Sequence, residues 1–564
     1  MSIAPAAFFP GMDFFSLRGK GNSVPKTGGA LRDGRRSGIS GAPSDFMETP
    51  VPKLPDLPVT RILPELDEAL KTHAGAVLVA PPGAGKTTLV PLHLLDADWR
   101  NDGMIVLLEP RRLAARASAR RMAQILGEEP GETVGYRMRL ESRVSAKTKI
   151  LVVTEGVFAR MILDDPDLKG VSAVLFDEFH ERSLDADFGL ALALDVQAAL
   201  RDDLKILVMS ATLDGARVAS LLRDAPVIES EGRAFPVDIR YRDRKPDQRI
   251  EDAVAGAIQQ ALADESGSIL AFLPGQGEIE RVAGILERFL PANVILAPLY
   301  GAMEGRAQDM AIRPAPSGHR KVVLATSIAE TSITIDGVRV VIDSGLARQP
   351  RYEPATGLTR LETVRVSRAG ADQRAGRAGR TEPGIAIRLW HQGQTAALPA
   401  FSPPEILEAD LSGLVLDAAA WGVTDPATLA FLDQPPKPAL KEATALLKRL
   451  GALDAGSRLT PDGEAMRKLA LPARLAHMVL EAGKRGEAQK AAEIAMLLTE
   501  RGLGGNDPDL ESRFSRFRND RSDRAQRARG LAKRIAAARA DTGAPAGSSV
   551  GRMLIDAYPD RIAK

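Results

Sequence analysis

The stretch Ala80-Pro81-Pro82-Gly83-Ala84-Gly85-Lys86-Thr87-Thr88 carries residue types that can hold a polyphosphate. Small residues let successive amide N–H groups turn inward around a pyrophosphate, and a helix N-terminus behind them adds partial positive charge. Lys86 would reach the β and γ phosphates, while the Thr87 hydroxyl would hold Mg²⁺. Gly83, Ala84, Gly85 and Thr88 complete the cradle. The pattern is Gly-x-x-x-x-Gly-Lys-Thr with Ala80 in its first position. By itself it fits many classes of NTPase.

Further along, Asp177-Glu178-Phe179-His180 closes an apolar run. Asp177 would hold the metal through its water shell, and Glu178 would polarise an attacking water. Gln373-Arg374-Ala375-Gly376-Arg377-Ala378-Gly379-Arg380 is a glycine-interrupted, arginine-rich helix start. Glycine allows close approach, and Arg377 and Arg380, beside Gln373, can neutralise charge developing on a γ phosphate.

These groups need elements to hold them. Apolar runs Ala76–Val79, Met104–Leu108, Lys149–Val153, Val171–Phe176 and Lys205–Met209 alternate with helical stretches, as buried parallel strands do. The fold class is therefore α/β, doubly wound, with ligands at the carboxyl ends of the strands. A second set follows: Ser268–Leu273, Asn293–Leu296, Lys321–Ala325, Arg339–Ile342 and Gly384–Leu389. It has no phosphate loop, so a nucleotide is expected in the cleft between the two units. The interval Arg348–Val366 reads as a β-hairpin around Ala355-Thr356-Gly357.

After Pro399 the strands largely stop. Glu405–Trp421 and Leu440–Leu450 have helical spacing, and Gly451–Asp454 with Arg458-Leu459-Thr460 would form a small ribbon, as in a winged helix. Leu471–Leu498 reads as further helices. Arg513, Arg516, Arg518, Arg521, Arg524, Arg527 and Arg529, with Phe514 and Phe517 interleaved, would form either a nucleic-acid contact or a solvated helix face. The divisions are 1–57, 58–232, 233–398, 399–470 and 471–564. Residues 1–57 scatter Gly and Pro without apolar period and are expected to be disordered, with a small basic knot at Arg32, Arg35 and Arg36. Met47, just ahead of the patterned sequence, is a plausible start.

Composition narrows the classes. The 564 residues include 44% hydrophobic and 26% charged side chains, an ordinary globular balance. Net charge is +2, so any nucleic-acid surface must be local. Aromatics are 4%, which favours Arg over stacked rings as a partner for bases. The absence of Cys excludes disulfides, thiolate metal sites and a Cys nucleophile, and fits a cytoplasmic protein. No apolar run suggests a membrane span. Met1–Phe15, interrupted by Pro5, Pro10 and Asp13, gives no expectation of a signal peptide.

Lys86 and the Asp-Glu-x-His tetrapeptide, with further segments in order, resemble the DEAH/RHA group of superfamily 2 helicases. Glu109-Pro110-Arg111-Arg112-Leu113-Ala114-Ala115 and Thr154-Glu155-Gly156 are similar to the group's RNA-backbone motifs. Ser210-Ala211-Thr212 is similar to the motif that, with His180, couples hydrolysis to movement. Ala325–Gly337 and Gln373–Arg380 match the second unit. Phe179 stands where the group usually has Ala, and with Glu181-Arg182-Ser183-Leu184 this resembles the bacterial HrpB-type branch.

The resemblance implies two tandem RecA-like domains, then a mostly helical region with a winged helix and a helical bundle. It implies an ATP- and Mg²⁺-dependent enzyme moving 3′ to 5′ on single-stranded RNA or on a duplex with an overhang. It places Arg111, Thr154, Thr326 and Ser327 on RNA, leaves Thr326 and Thr331 to face either RNA phosphates or the ribose, and gives Asp336 to the ribose. Arg111 or Arg112 would stack on the base. The aromatic on the other side has no counterpart in Ala311-Ile312-Arg313-Pro314, so weak discrimination among NTPs is expected. In the group the hairpin separates strands. The ending Tyr558-Pro559-Asp560-Arg561-Ile562-Ala563 resembles a branch in which a further C-terminal region follows, a place for a protein partner. An ATP-gated RNA clamp and a DNA-directed helicase are the alternatives.

Overall fold

The computed structural model describes residues 54–561 except 140, 212–214, 233–234, 246, 302, 304, 331–334, 354–357, 381, 501 and 538–546. Most of the expected disordered stretch 1–57, Thr212, Thr331 and the hairpin tip thus lie outside the described residues.

Alternation within each apolar run builds the first sheet. Its strands are β1 (Gly75–Val79), β2 (Met104–Glu109), β3 (Val134–Met138), β4 (Glu141–Arg143), β5 (Ile150–Thr154), β6 (Val171–Phe176), β7 (Lys205–Ser210) and β8 (Val227–Glu229). They lie in the order β4-β3-β5-β2-β6-β7-β1-β8, parallel except for the β3–β4 pair. Successive side chains point to opposite faces. Ala76, Leu78, Ile105, Leu107, Val152 and Leu175 fill one face, while Val77, Val106, Leu108, Val153, Val174 and Phe176 fill the other.

The second sheet uses β9 (Val237–Tyr241), β10 (Ser268–Phe272), β11 (Val294–Leu299), β12 (Arg320–Ala325), β13 (Val338–Asp343) and β16 (Gly384–Arg388), in the order β11-β12-β10-β13-β16-β9 and parallel throughout. Between β13 and β16 the chain makes an antiparallel hairpin of β14 (Leu346–Glu353) and β15 (Leu358–Arg365), as the sequence predicts. The hairpin is tied to the helical region: Tyr352 N–H donates to Glu408 O at 3.0 Å, and its hydroxyl donates to Glu442 at 2.9 Å.

The helical region does not fold apart from the first unit. The apolar face of the first sheet carrying Val77 and Val106 continues through Phe188 and Leu192 into Ile406, Leu414, Val415, Leu447 and Met478. Trp421 Nε1 donates to Asp195 at 2.7 Å across this seam, and Arg160 donates to Arg467 O at 2.7 Å. The second unit keeps cores of its own, into which, among the described residues, only Leu113 enters from the first.

Two expectations need adjusting. The helix expected over Glu405–Trp421 begins at Ser412, because Glu405–Leu407 forms a 3₁₀ turn after Pro403-Pro404. The expected ribbon consists of one bridge, Leu453 to Leu459, ahead of the helix Pro461–Lys468, which Thr460 caps by accepting from Gly463 N–H. Three arginines of the run reach between helices, while Arg516, Arg521 and Arg527 are exposed, as on a solvated helix face. Arg513 donates to Leu497 O and Leu503 O at 3.1 and 3.2 Å, Arg518 pairs with Glu493 at 2.8 Å over the Phe514 ring, and Arg529 holds Phe517 O and Asp520 O at 2.6 and 2.7 Å. Phe514 and Phe517 are buried beneath them, so these arginines join helices.

Candidate active site

The phosphate loop lies between β1 and the helix Lys86–His93. Gly83 and Gly85 adopt φ of 86° and 94°, and a Cβ on Gly85 would sit 2.8 Å from Leu57 Cδ1, so that position admits little but glycine. Ala84 is buried; its carbonyl accepts from Val59 N–H at 3.0 Å and its N–H donates to Pro81 O at 3.2 Å. Ala80 N–H donates to Ser210 O at 2.9 Å, placing the loop beside the end of β7. Thr88 Oγ1 reaches back to Gly85 O at 3.5 Å.

Lys86 is 4% exposed, with Nζ 3.0 Å from Glu178 Oε2 and 3.7 Å from Asp177 Oδ1. Burial works to lower its pKa, but the two carboxylates outweigh that and raise it. Thr87 Oγ1 donates to Asp177 Oδ2, and Glu178 N–H donates to Asp177 Oδ1 at 2.8 Å. Burial favours the protonated form of both acids. For Asp177, beside Glu178, the net shift is upward; for Glu178, Lys86 and then His180 turn it below the ordinary carboxylate range.

Glu109, at the end of β2, brings a third carboxyl to the cluster. It is fully buried, neither oxygen has a hydrogen-bond partner among the described residues, and burial followed by the charges of Asp177 and Glu178 pushes its pKa well up. A buried polar group of this kind marks where water or an ion belongs. With a hydroxyl, a carboxylate and an ammonium already converging, the donor set fits a magnesium–nucleotide. Thr87 and Asp177 would hold the metal, and the loop with Lys86 would hold the phosphates.

The second unit reaches this cluster from across the cleft. Arg377 is buried, and its pKa is pushed well down by burial first and then by Arg380, against the charges of Glu178 and Glu330. Arg380, pushed down to about 10 mainly by burial, feels both Glu178 and Asp336. Asp336 itself is exposed. Gly379 permits the approach: its carbonyl accepts from Phe235 N–H at 2.9 Å, and a Cβ there would stand 2.5 Å from Phe235 O.

His180 joins three segments. Ala211 N–H donates to its Nδ1 at 3.2 Å, and the Gln373 side-chain amide lies 2.7 Å from its Nε2. Burial lowers the His180 pKa and favours the neutral ring. With Nδ1 accepting, the proton resides on Nε2, and this contact is a hydrogen bond once the Gln373 amide is turned so that its oxygen, rather than its Nε2, faces the ring. Ser210, buried at the end of β7, lies directly before Ala211. Arg111 forms a second strut, donating to Ser327 O across the cleft while Nη2 pairs with Glu181 at 3.1 Å. Arg112 opens the next helix and is exposed. Thr154 ends β5 beside Glu109, and Thr326 follows β12, both half-buried.

Sequence reasoning missed Glu109 and Arg374 as members of the site. The first closes an apolar strand with a charge, a signal open to reading. Arg374 is 1% exposed, pairs with Glu330 at 3.1 Å and Asp343 at 2.8 Å, and lies over Phe272, which pins the helix Arg368–Ala375 while Gln373 and Arg377 face the cleft. Its pairing with acids on other segments leaves no local trace.

Comparison with known proteins agrees with this geometry. The DEAD/DEAH box helicase family matches residues 64–221, and the helicase conserved C-terminal domain matches residues 253–382. The ATP-dependent RNA helicase HrpB of Escherichia coli (strain K12) is 51% identical over 508 residues, 90% of this chain and 62% of that protein. ATP-dependent RNA helicase HrpA of the same organism is 36% identical over 456 residues, 79% of this chain and 35% of that one. The crystal structure of Escherichia coli DEAH/RHA helicase HrpB matches with a TM-score of 0.83 at 50% identity, over 90% of this chain and 64% of that one. The chain therefore spans under two thirds of the HrpB relative's length. It belongs to the DEAD/DEAH box helicase family, in the DEAH/RHA group and of the HrpB type.

Proposed function

We propose that this chain is an ATP-dependent RNA helicase that couples NTP hydrolysis to 3′ to 5′ movement on single-stranded RNA or on a duplex with an overhang. The observation that carries this reading is the juxtaposition of Glu178 with Arg377 and Arg380 from the opposite unit. A hydrolytic site divided between two bodies can turn chemistry into displacement.

The P-loop backbone and Lys86 would bind the phosphates, Thr87 and Asp177 would hold Mg²⁺, and Asp336 would face the ribose. Bound Mg²⁺ supplies charge neutralisation on the phosphate oxygens. Glu178, held ionised by Lys86, orients water for attack and accepts its proton. Arg377 and Arg380 neutralise charge on the γ phosphate. Gln373 and His180 report the closed arrangement to Ala211 and, through it, to Ser210 and Thr212.

RNA runs across Arg111, Thr154, Thr326 and Ser327. These contacts are to phosphate and sugar, because a translocating protein does not depend on sequence. No helix among the described residues is long and apolar enough to cross a membrane; we place the protein in the cytoplasm.

Lys86→Ala is expected to lower kcat for ATP hydrolysis by at least about 100-fold, since it removes the cation nearest the transferred phosphoryl group. Turnover within a few-fold of native would displace the site. A duplex with a 3′ single-stranded overhang separates helicase from clamp: displacement supports the first, and stimulated hydrolysis without displacement the second. Stronger stimulation by DNA than by RNA of the same sequence would overturn the choice of RNA.

A further inference from the structure

Glu178 and Arg182 flank the 3₁₀ turn Phe179–Glu181 with φ of 51° and 53°. Non-glycine residues keep such a backbone only where their surroundings impose it. On one side the surroundings are His180 with Gln373 and Ala211. On the other they come from the C-terminal helical region.

Arg182 donates to both oxygens of buried Asp187, at 3.1 and 3.0 Å, lies over the Phe179 ring, and brings Nη1 to 2.7 Å from Asp433 Oδ2. Its carbonyl accepts from Glu405 N–H at 3.0 Å, and the Glu405 carboxylate accepts from Leu184 N–H at 2.9 Å. The second oxygen of Asp433 lies 2.9 Å from Arg217 Nη2, and Arg217 also donates to Leu432 O at 3.1 Å. Arg217 belongs to the helix Gly215–Leu221, which follows the segment containing Ser210 and Ala211. One carboxylate of the helical region thus holds the turn behind Glu178 and the helix behind Ser210.

We propose that Asp433 is a positioning residue that fastens the turn carrying Glu178 and the helix carrying Arg217 to the C-terminal helical region, so that RNA engaging Arg111, which pairs with Glu181 of the same turn, acts on Glu178 through a turn held fast at its other end. Among the described residues the carboxylate contacts none of the phosphate loop, and it stands outside the catalytic set, so its effect falls on stimulation rather than on basal chemistry. The coupling role rests on the RNA-helicase reading; the clamp itself rests on the ion pairs.

The test uses the full chain with Asp433→Ala and Asp433→Glu, measuring hydrogen exchange over 178–184 and hydrolysis with and without single-stranded RNA. In Asp433→Ala, exchange over the turn is expected to rise about tenfold while global melting stays close to native. RNA-stimulated kcat is expected to fall about fivefold or more, with basal kcat within about twofold of native. Asp433→Glu should restore part of both. Unchanged exchange at the turn overturns the clamp, and native stimulation despite faster exchange overturns its coupling role. If the native protein shows no RNA stimulation, the helicase reading fails, while the exchange measurement still decides the clamp. Should Asp433→Ala not fold, Arg217→Ala loses one arm only and is expected to move both readouts in the same direction by less.

Discussion

Glu155 illustrates how one side chain in this protein is set by its surroundings. It directly follows Thr154, is 6% exposed, and accepts a hydrogen bond from Ser183 Oγ, which in turn caps the helix Leu184–Ala199. Burial pushes its pKa up from 4.5 to about 8. Between those two values the folded protein holds a proton that the unfolded chain has released, so stability falls as pH rises through this window and levels off above about 8. Below 4.5 both states are protonated and the group's full contribution is present. Glu155→Gln, neutral at every pH, is expected to flatten the fall in melting temperature between pH 4.5 and 8. An unchanged slope in a thermal melt series would show that Glu155 is ionised in the folded protein.

At the scale of elements, the strands at the centres of both sheets were legible because both of their faces are covered, which demands unbroken apolar runs. Of the strands that escaped notice, β4, β8 and β9 lie at edges, while β3, paired on both sides, reads Val-Gly-Tyr-Arg-Met and so breaks its apolar run with Gly135 and Arg137. β9 reads Val-Asp-Ile-Arg-Tyr and is largely exposed, and β8 has only three residues. The site divided the same way. Lys86, Asp177 and Glu178 were visible because each is fixed by a short local pattern at a strand end. The pairings His180 to Gln373 and Arg182 to Asp433 were not, because contacts between distant segments depend on docking, for which spacing offers no period.

One element carries a specificity prediction. The helix Gly305–Ile312 ends where Lys321 Nζ takes the carbonyls of Met310 and Ala311 at 3.0 and 3.3 Å, and Ala311–Pro314 contains no aromatic. Arg111 is meanwhile committed to Ser327 and Glu181. With the base loosely held, GTP, CTP and UTP are expected to be hydrolysed within about tenfold of ATP in kcat/KM. Stronger preference for ATP in steady-state assays would mean that the base has a dedicated pocket.

For the molecule as a whole, the distribution of cores matters most. The first unit and the helical region share one apolar core, whereas the second unit has separate ones and meets the first mainly through polar struts at His180, Arg111 and Arg120. Polar contacts exchange for water at far less cost than an apolar core can be opened. This asymmetry supports movement of the second unit against the other two, with the nucleotide site as the seam. Hydrolysis on the phosphate loop is proposed to require arginines from across that seam. The most direct measurement is ATP turnover in Arg377→Ala and Arg380→Ala alongside nucleotide binding by each variant. Binding is expected to be retained within about tenfold and kcat to fall by about 10³-fold, the scale of an arginine finger. Native turnover in both variants would contradict it.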